Sequence, residues 1–345
     1  MGGQSQNAHD EGIELHKSLS EHLWDRSLLV TTLAVAVVSA ISVWMAWCAS
    51  AGFALQLAWF ALVPALSAAL VSYALRVLRF YYFLSRSGVA ISLPSTLVAQ
   101  MVGFALGVTP GRVGEVFKLH LIRERTGTPV AQTAPLLLLD RLTEGGGFMI
   151  LALASAPLLP ALRTRVPMPA LLLLGLAVIF LFALTRGWWS KRIVIPNSRL
   201  MDSRLGLFLA PHLKNLWRGM ETSFTPTQIL GGLTLSAIAR FADGLVVLFA
   251  AQMLGVKLEL PEAVFVLAVS GLTGGISFLP AGLGAVETTM AGLLVLVGAA
   301  WSNAVAVALV VRLFTLWLWV ALGLGVAFLL RVPAFRTQSN EDEKF

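Results

Sequence analysis

Apolar runs of about twenty residues or more recur along this chain, and no other feature narrows its possible folds as far. They cover residues 27–48, 53–75, 134–160, 168–186, 228–254 and 304–331. A backbone in hydrocarbon must satisfy its own N–H and C=O groups, and runs of this length do so as helices. Composition agrees: 57% of the residues are hydrophobic and 12% are charged, against about 25% charged in soluble domains. We therefore expect an all-α, polytopic transmembrane bundle.

Two segments break the apolar pattern in the same way. Thr109-Pro110-Gly111-Arg112-Val113-Gly114-Glu115 stops a run that starts at Pro94 and is too short to span comfortably. Thr109 suits an N-cap and Pro110 the first position of a new helix. That helix carries Glu115, Lys118, Arg123, Glu124 and Arg125, a costly set for a full crossing. Residues 94–125 therefore read as a re-entrant helical hairpin. Residues 262–300 read as a second one, broken at Gly274-Gly275 and again at Pro280-Ala281-Gly282, ahead of Gly284 and Glu287.

The halves correspond. Pro110 and Pro280 are 170 positions apart, as are Gly114 and Gly284, and Arg141-Leu142 precedes Arg312-Leu313 by 171. With the amino terminus in the cytoplasm, the hairpins open from opposite faces, as inverted repeats do in many transporters. The division is a polar tail over 1–26, a first membrane half over 27–186, a basic loop over 187–226, a second half over 227–331 and a polar tail over 332–345. The loop holds Trp188, Trp189, Trp217 and several basic residues. That suits a cytoplasmic segment or an interfacial helix on an anionic leaflet. The net charge of +7 then reflects the positive-inside rule and not nucleic-acid binding. Arg76 and Arg79, beside Phe80-Tyr81-Tyr82, share a helical face. They read as a headgroup-level anchor for a helix ending near residue 75, or as holders of a lipid phosphate.

The charged residues inside the apolar helices define the candidate site. A helix start at Pro110 offers free N–H donors and a partial positive charge to an anion, and Arg112 can bind phosphate through two parallel hydrogen bonds. Arg141, Arg240 and Arg312 are expected to add to a positive cavity. Glu115, Asp140, Glu144, Asp243 and Glu287 balance it, relay protons or simply lock helices together, and Arg240 and Asp243 are spaced for an ion pair.

Enzyme chemistry finds no support. There is no P-loop, Gly-x-Ser-x-Gly or His-Glu-x-x-His motif. His9, His16 and His22 lack the spacing of a helical metal pair, and His120 and His212 fall at interfaces. Cys48 is the one cysteine, so neither an intrachain disulfide nor a cysteine metal cluster is possible. No cofactor is expected.

The phrase Pro110-Gly111-Arg112-Val113-Gly114-Glu115, then Arg123-Glu124-Arg125-Thr126-Gly127 and Leu139-Asp140-Arg141-Leu142, resembles the transmembrane region of lysylphosphatidylglycerol synthases and the stand-alone flippase-like proteins related to them. Pro280-Ala281-Gly282-Leu283-Gly284-Ala285-Val286-Glu287 is similar to the family's Pro-Gly-Gly-Leu-Gly-x-x-Glu, with Ala281 in place of a glycine, and Arg312 also fits. The likeness covers about residues 27–331. It implies a lipid-handling protein of the cell inner membrane, with paired re-entrant helices, that moves phospholipid, glycolipid or hopanoid-pathway lipids. The chain ends at Phe345, without the soluble catalytic domain of the synthases, so aminoacyl transfer is not expected. Pro110, Gly111, Arg112, Gly114, Glu115, Arg141, Arg240, Pro280, Gly282, Gly284, Glu287 and Arg312 are the expected head-group contacts. Membrane lipids, and with them lipid-biosynthesis enzymes, are the expected partners. An accessory subunit of a lipid-modifying enzyme and a small-anion transporter are the competing readings.

Overall fold

A computed structural model describes residues 58–108, 113–159, 223–277 and 279–329. The apolar runs 27–48 and 168–186, almost all of the 187–226 loop, both tails and Thr109, Pro110, Gly111 and Arg112 lie outside the described residues. Within them the chain is helical, with eight helices and no strand.

The first half holds α1 (Ala58–Arg86), α2 (Leu93–Leu106), α3 (Val113–Thr126) and α4 (Val130–Ser155); the second holds α5 (Pro226–Met253), α6 (Leu260–Ile276), α7 (Ala285–Leu296) and α8 (Trp301–Leu329). Most boundaries follow from local chemistry. Ser92 caps α2 through the N–H of Ser95, with Pro94 in its first turn. Thr225 and Gln228 close a capping box ahead of Pro226 at the start of α5. Gly127, at φ 70°, ends α3 in the left-handed conformation that a helix C-terminus favours.

Among the described residues, three helices are long and apolar enough to cross a membrane: Phe60–Arg86, Pro226–Met253 and Trp301–Leu329. α4, at 26 residues, has the length but carries Asp140, Arg141 and Glu144 within it. α2 has 14 residues and α6 has 17. At about 1.5 Å per residue, both fall short of the ~30 Å hydrocarbon thickness. α2 packs on α3, and α6 on α7. The large apolar side chains Phe60, Leu230 and Phe328 are well exposed, as lipid-facing positions of a membrane bundle are.

Among the described helices, α1 and α5 share the most extensive contact, with Ala65, Ala68 and Ala69 close against Val246. Small residues let helices approach where lipid removes the hydrophobic drive for association. Across the halves, α4 packs on α6 and the end of α8 packs on α2. Exchanging the halves turns one of these contacts into the other.

The α8–α2 contact depends on Gly323, where a Cβ would sit 2.2 Å from the carbonyl oxygen of Met101. Gly323→Val is expected to force the helices apart at a cost of about 1–3 kcal/mol. A clearly lowered melting temperature in detergent is the check; an unchanged one contradicts this packing. Just after the arginine of α8, a π-helical turn over Leu313–Trp317 interrupts the α-helix, and two residues further on Trp319 stacks on Tyr73 of α1 at 3.8 Å between ring centroids.

Two expectations need correction. α1 does not end near residue 75 but continues to Arg86. Arg76 and Arg79 are buried and paired with acids of other helices, so they do not anchor a helix end at the headgroups. The second break does not begin at Gly274-Gly275, because α6 runs through both to Ile276. A helix interior accepts glycine at a cost of about 1 kcal/mol. Gly274 is needed there for close approach, since a Cβ would lie 2.3 Å from Cγ2 of Val286.

Candidate functional site

α4 brings Arg141 and Glu144 to the middle of the bundle, and α5 adds Arg240 and Asp243 three residues apart on one face. α1 contributes Arg76, and α3 contributes Glu115 from its first turn. These six side chains form one unbranched chain of alternating charge. Nη2 of Arg76 donates to Oδ2 of Asp243 at 2.5 Å. The same oxygen accepts Nη1 of Arg240 at 2.8 Å. Arg240 also donates to Oε1 of Glu144, and Arg141 donates to Oε2 of that residue. Arg141 then grips Glu115 with Nε and Nη2, each at 2.7 Å. The Arg240 guanidinium lies over the Phe148 ring, 4.6 Å from its centroid, an arrangement that stabilises a desolvated cation.

The second half supplies a matching pair. Glu287, in the first turn of α7, accepts Nε of Arg312 at 2.6 Å with one oxygen and the Gly284 N–H at 2.7 Å with the other. Glu115 and Arg141 are 26 positions apart, and Glu287 and Arg312 are 25. In each half, the short helix after the break is thus tied by a glutamate to an arginine on the following long helix.

All six members of the chain, with Arg312, face one cavity of about 430 Å³. That lies within the ~300–1,000 Å³ range of small-molecule sites. Phe104, Phe148, Leu267 and Met290 make part of its apolar wall. Ile276 lines it too while remaining 58% exposed, so the cavity meets the outer surface of the bundle beside an apolar side chain. Among the described residues, no group of His, Cys, Asp and Glu is arranged to hold a metal ion.

Of the expected site residues, Glu115, Arg141, Glu144, Arg240, Asp243 and Arg312 line this cavity, and Glu287 stands one bond behind Arg312. Asp140 does not line it. It is fully buried with Arg79 at 2.8 Å and Lys118 at 3.6 Å, away from the chain. Pro280, Gly282 and Gly284 shape the break, where only Ala281 reaches the cavity. Gly114 is in the first turn of α3. Pro110, Gly111 and Arg112 fall outside the described residues.

Among the described residues, the acids balance the arginines of the cavity. Arg76, Arg141, Arg240 and Arg312 are offset by Glu115, Glu144, Asp243 and, behind Arg312, Glu287. Buried charges need partners, and each of these has one. Sequence reasoning placed Arg76 at a helix end, as an anchor or a lipid-phosphate holder, and did not join it to the other site residues; it missed Phe104 and Phe148. For Arg76 the signal was present: a basic residue on an apolar helix face, with Asp243 available on another helix. The neighbouring tyrosines masked it by suggesting a helix end.

Ala281 is the one described non-glycine residue with positive φ, at 50°. Its carbonyl accepts Nη2 of Arg312 at 2.7 Å, so the left-handed backbone aims that oxygen at the arginine. A left-handed L-residue costs roughly 1–2 kcal/mol. Ala281→Gly is therefore expected to stabilise the protein by about 1 kcal/mol or somewhat less, once the freer unfolded chain is counted. An unchanged or lower melting temperature contradicts it.

The profile of the lysylphosphatidylglycerol synthase TM region matches residues 23–323, which takes in both broken-helix segments and both glutamate–arginine pairs. The chain belongs to the lysylphosphatidylglycerol synthase TM-region family. Within this family of membrane proteins it is similar to a UPF0104 membrane protein of Methanocaldococcus jannaschii, with 25% identity over 238 residues. Those residues make up 69% of this chain and 99% of that protein. The match is to the membrane region of the synthases, and the cavity lies within the matched residues.

Proposed function

We propose that this protein moves a polar-headed lipid, a phospholipid, a glycolipid or a hopanoid-pathway lipid, between the leaflets of the cell membrane. The observation that carries this reading is the cavity. Among the described residues it combines a wall of four guanidinium groups with an apolar wall, and at Ile276 it meets the outer surface beside an exposed apolar side chain. A head group finds charge-assisted donors inside, while acyl chains stay outside against apolar side chains. In this reading the two short-helix hairpins are re-entrant and form an inverted repeat, with the amino terminus in the cytoplasm. The exchange of the α4–α6 and α2–α8 contacts supports the repeat, as does the matched placement of Glu115–Arg141 and Glu287–Arg312. These two pairs act as latches on the hairpins, and Arg112 adds a donor at the first break.

The second reading is a membrane accessory subunit of a lipid-modifying enzyme. The complete pairing of the cavity charges favours it, since such a network also serves to lock helices together.

Reconstitution in vesicles with a fluorescent phospholipid separates the two. Leaflet exchange is expected to exceed that of protein-free vesicles and to fall at least tenfold in Arg141→Gln and Arg112→Ala. Exchange equal to protein-free vesicles sinks the transport reading. For the hairpins, single cysteines placed beside Gly114 and beside Gly284 in a Cys48→Ala background are expected to label from opposite faces. Labelling both from one face overturns the inverted arrangement.

A further inference from the structure

The four cavity arginines are not equally satisfied. Arg141 uses Nε, Nη1 and Nη2 on Glu115 and Glu144, and Arg312 uses Nε and Nη2 on Glu287 and the Ala281 carbonyl. Among the described residues Arg76 makes one hydrogen bond, to Asp243. Arg240 uses its two Nη groups, and among the described residues the Nε atoms of both Arg76 and Arg240 are buried without a partner. Both residues are more than nine-tenths buried, at 8% and 4% exposure, and both line the cavity. A buried unpaired N–H is costly, so two of them on arginines that share one carboxylate oxygen mark an arrangement with donor capacity to spare.

The chain of ion pairs is also polarised, although its formal charge is zero. At one end two guanidiniums, Arg76 and Arg240, converge on the single oxygen Oδ2 of Asp243. At the other end two carboxylates, Glu115 and Glu144, converge on the single guanidinium of Arg141. An incoming anion is therefore attracted to the Asp243 end. The group that uses the spare donors there needs two anionic or partly anionic oxygens at carboxylate-like spacing, so that Nε and Nη of one arginine are engaged in parallel. The two non-bridging oxygens of a phosphodiester meet this requirement. The hydroxyls of a sugar head group do not, being neutral and donors themselves.

We infer that Arg76 and Arg240, hinged on Asp243, form a phosphodiester-holding element, and that the cavity selects phosphate-bearing lipids over phosphate-free glycolipids. This inference rests on the lipid reading above and narrows its substrate class. Arg76 and Arg240 turn about their shared carboxylate oxygen to present Nε and Nη to the head group, while the Arg141 and Arg312 pairs stay closed.

The test is ligand-induced thermal stabilisation of the full chain in detergent, titrated with short-chain phosphatidylglycerol, a short-chain monoglycosyl diacylglycerol of equal acyl length, or soluble glycerol phosphate. Wild-type protein is expected to respond to phosphatidylglycerol at concentrations at least tenfold below those needed of the glycolipid. Arg76→Lys, which keeps the charge and loses the parallel fork, is expected to weaken the phosphatidylglycerol response about tenfold and leave the glycolipid response unchanged. Equal responses to the two lipids overturn the inference, as does an Arg76→Lys variant that behaves like wild type. Glycerol phosphate acting as strongly as phosphatidylglycerol overturns the assignment to a lipid in favour of a soluble anion. Should Arg76→Lys not fold, Asp243→Asn is the second variant. Releasing both arginines from the shared oxygen is expected to strengthen the phosphatidylglycerol response several-fold, and no change overturns the inference. Vesicle exchange keeps the two readings apart. Arg76-dependent binding without any exchange removes the transport function alone, and exchange with Arg76-independent binding removes this inference alone.

Discussion

Arg240→Gln is expected to lower the melting temperature of the detergent-solubilised protein by about 10 °C, the largest effect of any single change in the cavity wall. Arg240 is the middle cation of the chain, bound to Asp243 on one side and Glu144 on the other. Breaking a buried pair by removing one partner costs about 3–5 kcal/mol, because the remaining charge stays buried and uncompensated. A shift of about 2–4 °C per kcal/mol is usual for domains of some 150–250 residues. Glutamine keeps a donor and much of the length but leaves two carboxylates sharing fewer cations. The comparison is Glu115→Gln at the chain's end, where Arg141 keeps Glu144 and its side chain is 33% exposed. That change is expected to cost about 1 kcal/mol or less. Equal effects from the two variants contradict the picture of a chain held at its centre.

The Arg79–Asp140–Lys118 cluster makes the second large prediction, in the opposite sense. Arg79 holds Asp140 through Nε at 2.9 Å and Nη2 at 2.8 Å, and Lys118 completes the set over the Phe80 ring at 3.9 Å. Arg79→Met alone is expected to cost about 3–5 kcal/mol. Arg79→Met, Asp140→Leu and Lys118→Met together are expected to be neutral or stabilising by about 1–4 kcal/mol, since well-packed apolar groups often replace buried ion clusters without loss. Ser236→Ala belongs in the same variant, because the Ser236 hydroxyl otherwise loses Arg79 as its partner. None of the three charged residues reaches the cavity, so leaflet exchange is expected to survive this replacement and to be lost when the cavity chain is neutralised. A fourfold variant that folds but no longer exchanges lipid contradicts the separation of the two networks.

Hydropathy and helix breakers carried much of the architecture. α5 and α8 follow from runs of apolar residues, and the halt between α2 and α3 follows from Thr109-Pro110-Gly111. Glu287 and Arg312 are 25 positions apart and Glu115 and Arg141 are 26, a near match that can be read from the sequence. Partner choice was less legible. Arg240–Asp243 is local and reads directly from a three-residue spacing, but Arg76–Asp243 joins residues 167 positions apart. Nothing on α1 alone tells an inward arginine from one at the headgroups. Asp140 and Glu144 lie four apart on α4, yet they bind different cations: Asp140 holds Arg79 and Lys118, while Glu144 holds Arg141 and Arg240. The neutrality of the cavity likewise depends on which acids approach which arginines, a property of packing across halves.

The π turn over Leu313–Trp317 has its own consequence for how α8 meets two unlike neighbours. Arg312 must face Glu287, and Trp319 must face Tyr73 on α1. Seven positions apart in a regular α-helix, the two would point almost the same way. One surplus residue in a turn advances the helix by about 100°, so the part of α8 after the turn is out of phase with the part before it. The helix is thereby geared to two clients at once, and restoring a uniform pitch would serve one of them only by turning away from the other.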